Sequence, residues 1–373
     1  MLDRSKVLRA LQEQTHPLFY DHEHEYAYAR TLWQQICADP TFPYKVHEAK
    51  TDLPIPTWHG SLGDVIECGH LLGPHQVIGV DGSQMYPDRH QGLVCYLINI
   101  GAVILTYGDK NKPVCFQSDP YVFVGDTEYE GIPLSPDVIN CRRDVYEFAA
   151  GVRLSREFKQ AQLKRLLLFD GTLIFWHLEA KDQIFKQVFL QLYIKELHAL
   201  YEQRMLCASY VSMPKHKEVS HLLRLAACNF VLDACTELEH LEHINDAALV
   251  RLYVKPYART TVFTYQGALK DSYPPHLRPH FFYINSGTEV GRVEIPAWIA
   301  RDVQLIDTVA SIIVDQCRKG NGYPVVLAEA HEQAVIKGPD RDFFYHLIAK
   351  MSIDQNYRIT RSQKSMKKRG IGI

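Results

Sequence analysis

The chain has 373 residues, a formal net charge of −2, and 46% hydrophobic against 23% charged residues. That balance argues against a bulk electrostatic nucleic-acid binder while leaving room for a local basic groove, and it is ordinary for a soluble globular protein. No apolar run approaches the roughly 18–20 residues needed to cross a bilayer. The opening MLDRSKVLRALQEQ is amphipathic, with no secretory core, so a cytoplasmic location is expected. Nine cysteines, an odd number without a Cys-x-x-Cys pair, fit a reducing compartment and argue against a disulfide framework. Cys228, Cys235, His240 and His243 are too loosely spaced to be a favoured zinc site.

Residues 1 to about 38 read as helix, with Leu8, Leu11, Tyr28, Leu32 and Ile36 on apolar faces, and Pro40 and Pro43 end it. Residues 44–75, rich in Gly, Pro and His, read as a connecting segment. The next stretch, QVIGVDGSQMYP at 76–87, is a β-branched run ending in Asp-Gly-Ser, a strand that delivers Asp81 to its end. LVCYLINIGAVILT at 93–106 suits a central strand, and 113–124 offers a third. Three strands with short connections predict an antiparallel meander. Ser135-Pro136-Asp137 is a helix start, with Ser as N-cap and Pro in the first turn. That helix runs to about Gln160, with Val145, Phe148, Ala149 and Val152 on its buried stripe and Glu147 at the stripe's border. RLLLFDGTL at 165–173 then repeats the strand-into-Asp-Gly pattern and delivers Asp170.

Three strands, a helix and a strand, with acids on the first strand, the helix and the fourth strand, form the layout of an RNase H-like α/β fold: a mixed sheet flanked by helices. Alone, each Asp-Gly is an ordinary turn after a strand. Together they bring like charges close, which repel unless a divalent cation sits between them.

Beyond Asp170 the chain reads as helix to about Tyr201, then a strand at 206–214, then a leucine-rich helical stretch at 218–250 that packs. Strands are expected at 260–265, 281–285 and 291–296, and a helix at 302–318 that stops at Gly320/Gly322. The tail after 360 carries Arg361, Lys364, Lys367, Lys368 and Arg369 and reads as a solvated end.

IGVDGSQ at 78–84, Glu147 followed by LLLFDGTL at 166–173, SYVSMPKHKEV at 209–219, FFYINSGTEVGRVEIPAW at 281–298 and GYPVVLAEAHEQAVI at 322–336 form an ordered set. In that order they resemble the NurA nucleases, DNA-end-processing partners of the HerA ATPase. The resemblance implies a nuclease domain over 76–360 with a helical insertion at about 218–250. A helical and connecting segment (1–75) precedes it and a basic tail (361–373) follows. It implies Asp81, Glu147 and Asp170 as metal ligands and places His331 at the family's late histidine. Glu147 shares its helix with Asp144 and Glu157, which are open alternatives.

Phosphodiester hydrolysis builds negative charge, which a pair of divalent ions about 4 Å apart can stabilise on both the attacking and the leaving side. Three carboxylates and an imidazole suit two Mn²⁺ or Mg²⁺ ions, Mn²⁺ accepting the nitrogen more readily. Asp81 and Asp170 form the core of such a site, with Glu147 completing one ion's shell. His331 completes the second or protonates the leaving group. Ser83, Lys215, Arg259 and Arg292 are candidates for DNA contact, and Tyr210, Tyr257 and Phe282 for base stacking; packing or ion pairing is the ordinary role of each. The resemblance further implies 5′ to 3′ exonuclease and single-strand endonuclease action in break repair, a homodimer, and docking on a HerA-type hexameric ATPase. Two alternatives stand beside it: an actin-like or sugar-kinase-like ATPase, and a non-catalytic adaptor on the ATPase.

Overall fold

The computed structural model describes residues 2–14, 22–70, 73–88, 95–108, 114–159, 162–231 and 235–355. Among the described residues, two helices stand where one was expected at the N-terminus. The first, α1 (Arg4–Glu13), is capped by the Asp3 carboxylate and buries none of its residues. The second, α2 (Glu23–Ala38), buries Ala29, Leu32, Trp33 and Ile36. Pro43 does not end this region but starts α3 (Phe42–Glu48), because a fixed φ suits a first turn. Short strands β1 (Thr57–Trp58) and β2 (Val65–Glu67) occupy the stretch expected to be irregular. They are too brief to carry a period.

The meander forms as its alternation predicts. β3 (His75–Met85), β4 (Cys95–Tyr107) and β5 (Cys115–Val124) pair antiparallel in turn. A small hairpin, β6 (Glu128–Tyr129) and β7 (Ile132–Pro133), leads into α4 (Pro136–Glu157), whose N-cap Ser135 accepts from the Val138 amide. β8 (Lys164–Asp170) then pairs parallel with β3, α5 (Gln183–Glu202) crosses over, and β9 (Leu206–Val211) pairs parallel with β8. The resulting order, β5-β4-β3-β8-β9, is the RNase H-like arrangement.

The leucine-rich stretch is not one helix. It is α6 (Ser220–Ala227), a 3₁₀ turn (Thr236–Leu241) and α7 (Asp246–Tyr253). A disulfide joins Cys228 to Cys235. The other seven cysteines are free, so this is one local bridge rather than a disulfide framework, and a pairing across one loop does not show in a count of scattered cysteines. β10 (Ala258–Thr260), β11 (Phe263–Thr264), β12 (Pro279–Asn285) and β13 (Val290–Pro296) extend the same sheet beyond β9 to eleven strands, the path continuing β13-β12-β11-β1 while β10 links β12 to β2. The helices α8 (Ala297–Ala300), α9 (Val303–Lys319), α10 (Val325–Ala334) and α11 (Gly338–Asp354) follow. Sequence reading gave no sign of α11, which buries only Tyr345 and therefore has little apolar stripe to read. The basic tail lies outside the described residues.

Two apolar clusters form. The larger packs α4, α5, α9 and α10 on the sheet. The smaller joins α2, α6 and α7 to the outer strands. One contact places α10: a Cβ at Gly101 would lie 2.3 Å from the Ala334 amide nitrogen and 2.4 Å from the Ala330 oxygen. Only glycine lets the helix settle that close to β4. No described helix is long and apolar enough to cross a membrane.

Candidate active site

Parallel pairing of β3 with β8 runs as far as Val80 opposite Phe169. One residue later come Asp81 and Asp170, on neighbouring strands spaced about 4.8 Å apart. Asp81 is not at a strand end, as the Asp-Gly-Ser signature suggested. β3 continues against β4 to Met85, paired with Leu97. What ends at Asp81 is the parallel ladder, so the two carboxylates stand where β3 and β8 part.

Ser83 shares the face of Asp81 by the strand's two-residue period. Its hydroxyl donates to the Ala334 carbonyl. The Asn99 amide donates to the same carbonyl at 2.8 Å and to that of Gln333 at 3.0 Å. These bonds anchor the C-terminal end of α10, and the turn before it presents His331, whose Nδ1 lies 2.8 Å from Asp81 Oδ2. Asp81 Oδ1 accepts from the Gly82 amide at 2.8 Å. Single ligating atoms from Asp81, Asp170 and His331 all fall within 4.8 Å of one another. The imidazole is 57% exposed and the Asp81 carboxylate 13%, so the cluster opens to solvent on the histidine side.

Glu147 reaches this place from α4. Gly82 lets it in, since a Cβ there would sit 2.4 Å from Glu147 Oε1. Glu147 is buried, and Arg143 Nε lies 3.0 Å from its Oε1. It stands beside the three-residue cluster rather than within it. Burial, with the charges of Asp144, Asp81 and Asp170, pushes its pKa well above the ordinary carboxylate value despite Arg143. Asp170 is raised as well, by burial and by Asp81, against the Tyr323 hydroxyl and the charge of His331. The other acids of α4 are committed elsewhere: Asp144 pairs with Arg143 and lies 3.9 Å from His177, and Glu157 pairs at the surface with Arg153.

Carboxylates outnumber cations here. Asp81, Asp144, Glu147 and Asp170 share one guanidinium, that of Arg143, and burial opposes its charge while Glu147, Asp144 and Asp81 hold it protonated. Oxygen donors with one imidazole, and two carboxyl groups held above their ordinary pKa by burial and by neighbouring acids, are a donor set that fits a hard divalent ion.

The expected DNA contacts fare differently. Ser83 is used to hold α10. Lys215 is exposed. Arg259 is buried and pairs with Asp307 at 2.7 Å. Arg292 is fully buried between Glu218 and Glu294, its guanidinium 3.6 Å from the Phe281 ring centroid. Neither arginine reaches a groove, because an arginine amid apolar strands is kept only when acids neutralise it. Tyr210 and Phe282 are fully buried, and Tyr257 lies under the Arg318 guanidinium at 4.3 Å. Thr172 donates to Glu294 at 2.6 Å, a turn-capping role. Sequence reading passed over two residues. Tyr323 sits in GYPVV, a block quoted only for its histidine. Arg143 lies four residues before Glu147, the spacing that puts opposite charges on one helix face.

No curated protein matches the chain. The family model of the NurA domain matches residues 75–336.

Proposed function

The chain belongs to the NurA family, nucleases of DNA-end processing, and from that premise we propose that Asp81, Asp170 and His331, with Glu147 beside them, form a metal-dependent deoxyribonuclease site. One observation carries the reading: two strand-borne carboxylates and an imidazole meet within 4.8 Å, with a third, buried acid alongside. Mn²⁺ or Mg²⁺, two ions per site, would supply positive charge where an attacked phosphodiester gathers negative charge.

The chain's own groups divide the remaining work. Asp81 and Asp170 provide the anionic floor. Tyr323 orients Asp170 through its hydroxyl, and Arg143 holds Glu147 in place. His331, exposed and bonded to Asp81, is the group positioned to hold or deliver a proton at the solvent side, where DNA enters. We take residues 76–360 as the catalytic domain, acting in the cytoplasm. The family resemblance supports 5′ to 3′ exonuclease and single-strand endonuclease action, a homodimer, and docking on a HerA-type hexameric ATPase.

The test is degradation of end-labelled linear DNA with Mn²⁺, Mg²⁺ or EDTA, with Asp81→Ala, Asp170→Ala and His331→Ala run beside the parent chain. Cleavage that requires metal and disappears in folded variants is the expected result. Absence of cleavage with either metal, even with the cognate ATPase present, would sink the proposal.

A further inference from the structure

Far along the chain from the nuclease cluster, a second group of donors converges. His22 is the N-cap residue of α2, Glu25 lies in that helix's first turn, and His243 sits between the 3₁₀ turn and α7. His22 Nδ1 is 3.0 Å from Glu25 Oε1. His243 Nδ1 is 2.8 Å from the same oxygen, and the His243 amide donates to Oε2 at 3.0 Å. One ligating atom from each of the three residues lies within 4.8 Å of the others. The Glu25 side chain is only 13% exposed, whereas that of His243 is 51% exposed.

We propose that His22, Glu25 and His243 form a zinc site that clamps α2 to the segment before α7. Two imidazoles and one carboxylate are a donor set zinc accepts with a fourth position left for water. The same set is nitrogen-rich for Mg²⁺ or Mn²⁺, and zinc outranks Mn²⁺ in affinity at such sites. Bonds of about 2.0–2.1 Å in a tetrahedron put donors roughly 3.3 Å apart, a few tenths of an ångström beyond the two spacings observed. The rings face each other at 4.1 Å between centroids, so they must splay. His243, half in solvent, has room to swing. The His243 amide bonded to Glu25 Oε2 leaves Oε1 as the ligating oxygen, the kind of outer bond that orients a metal ligand.

The clamp has something to hold. Below it, Ala29, Leu32, Trp33 and Ile36 of α2 pack with Leu241 and Ile244 in the smaller apolar cluster. Zinc bound by residues from both sides of that contact favours the docked arrangement over the separated one. The four residues His240, His243, Cys228 and Cys235 do not group: the cysteines are bonded to each other, and His240 meets the edge of Tyr28. The chain thus carries an oxygen-rich site and a nitrogen-rich one, each suited to a different ion.

The experiment uses the metal-stripped full chain and an Asp81→Ala/Asp170→Ala version, which removes the acid cluster as a competing binder. Both are dialysed against Zn²⁺ and assayed for bound metal. Co²⁺ is then substituted, and its visible absorption reports a four-coordinate site with nitrogen donors. The expected result is one zinc per chain in the Asp81→Ala/Asp170→Ala protein, lost when His243→Ala is added to it. Zinc should raise the melting temperature of the Asp81→Ala/Asp170→Ala protein but not once His243→Ala is added, and His243→Ala alone leaves nuclease activity unchanged. Far-UV circular dichroism checks the fold of His243→Ala, and Glu25→Gln serves as the second ligand variant. Zinc retained by the Asp81→Ala/Asp170→Ala protein after both His243→Ala and Glu25→Gln would overturn the proposal. So would zinc lost with the acid cluster alone, or no zinc binding, which would leave two rings simply donating Nδ1–H to Glu25.

Discussion

Arg292 and the Asp81–Asp170 pair both gather acids at the same sheet, and their surroundings differ in one respect. Around Arg292, Glu218 and Glu294 are paired with the guanidinium. Glu294 also accepts from Thr172 and from the amides of Leu173 and Ile174, and Asp246 takes the amides of Val219 and Ser220 and the Tyr283 hydroxyl. Nearly every oxygen has a donor. Around Asp81 and Asp170 the acids have each other, one guanidinium, and an exposed imidazole. The first arrangement holds structure. It closes the loop directly after Asp170 and ties β13 to it. The second lacks compensation, and a charge deficit in a solvent-facing cleft is what a cationic ligand relieves. The satisfied network braces the strained one, and so buried acids alone do not mark a site. The missing counter-charge does.

Removing the guanidinium of the satisfied network has the largest expected effect. Arg292→Ala should cost about 3–5 kcal/mol, because it leaves Glu218 and Glu294 buried without a counter-charge. Urea unfolding measures this, and a loss under about 1 kcal/mol would mean the network is not held by that charge. Next, Asp81→Asn should lower cleavage by about 10²–10³-fold, the usual cost of one electrostatic group aimed at developing charge. Its melting temperature without metal should stay level or rise, since a repelling charge is gone. A fall in stability matching the fall in activity would make Asp81 structural. Tyr323→Phe, which removes one bond to Asp170, should lower activity or metal affinity by about 10–100-fold with the fold intact. Parallel metal titrations and cleavage assays separate the two effects.

The smallest effect is the pH dependence. Glu147 and Asp170 are raised, and burial pushes Glu218 up to about 7 despite Arg292. A raised carboxyl binds more protons folded than unfolded, so its stabilising contribution is full below the unfolded pKa and is lost as pH rises through the folded one. The metal-free chain should therefore melt a few degrees higher near pH 5 than near pH 8 on account of these groups. Mn²⁺ should flatten the share due to Asp170 and Glu147 and leave that of Glu218 unchanged. Equal flattening in Asp81→Asn/Asp170→Asn would place the metal elsewhere.

Local pattern made the meander, the Ser135 start of α4 and the two strands into Asp-Gly legible, because alternation and capping are properties of neighbouring residues. It also made Asp81 and Asp170 visible as a pair. It left Arg259 and Arg292 open between DNA contact and their ordinary role of ion pairing, since a basic residue on a strand reads alike whether its partner is a phosphate or a glutamate 74 residues away. It also gave no account of Tyr323, whose meaning is its bond to Asp170 rather than its place in GYPVV.

Local pattern was enough for the strands β3, β4, β5 and β8, the helix α4 and the acids they carry, because hydrophobic period, β-branching and capping act over a few residues. Four facts come from the packing of distant segments instead: β3 stays a strand past Asp81, Gly82 admits Glu147, α10 brings His331 to Asp81, and His22, Glu25 and His243 meet. Those facts depend on register and close approach between segments up to 251 residues apart, and no local preference encodes a distance across the sheet.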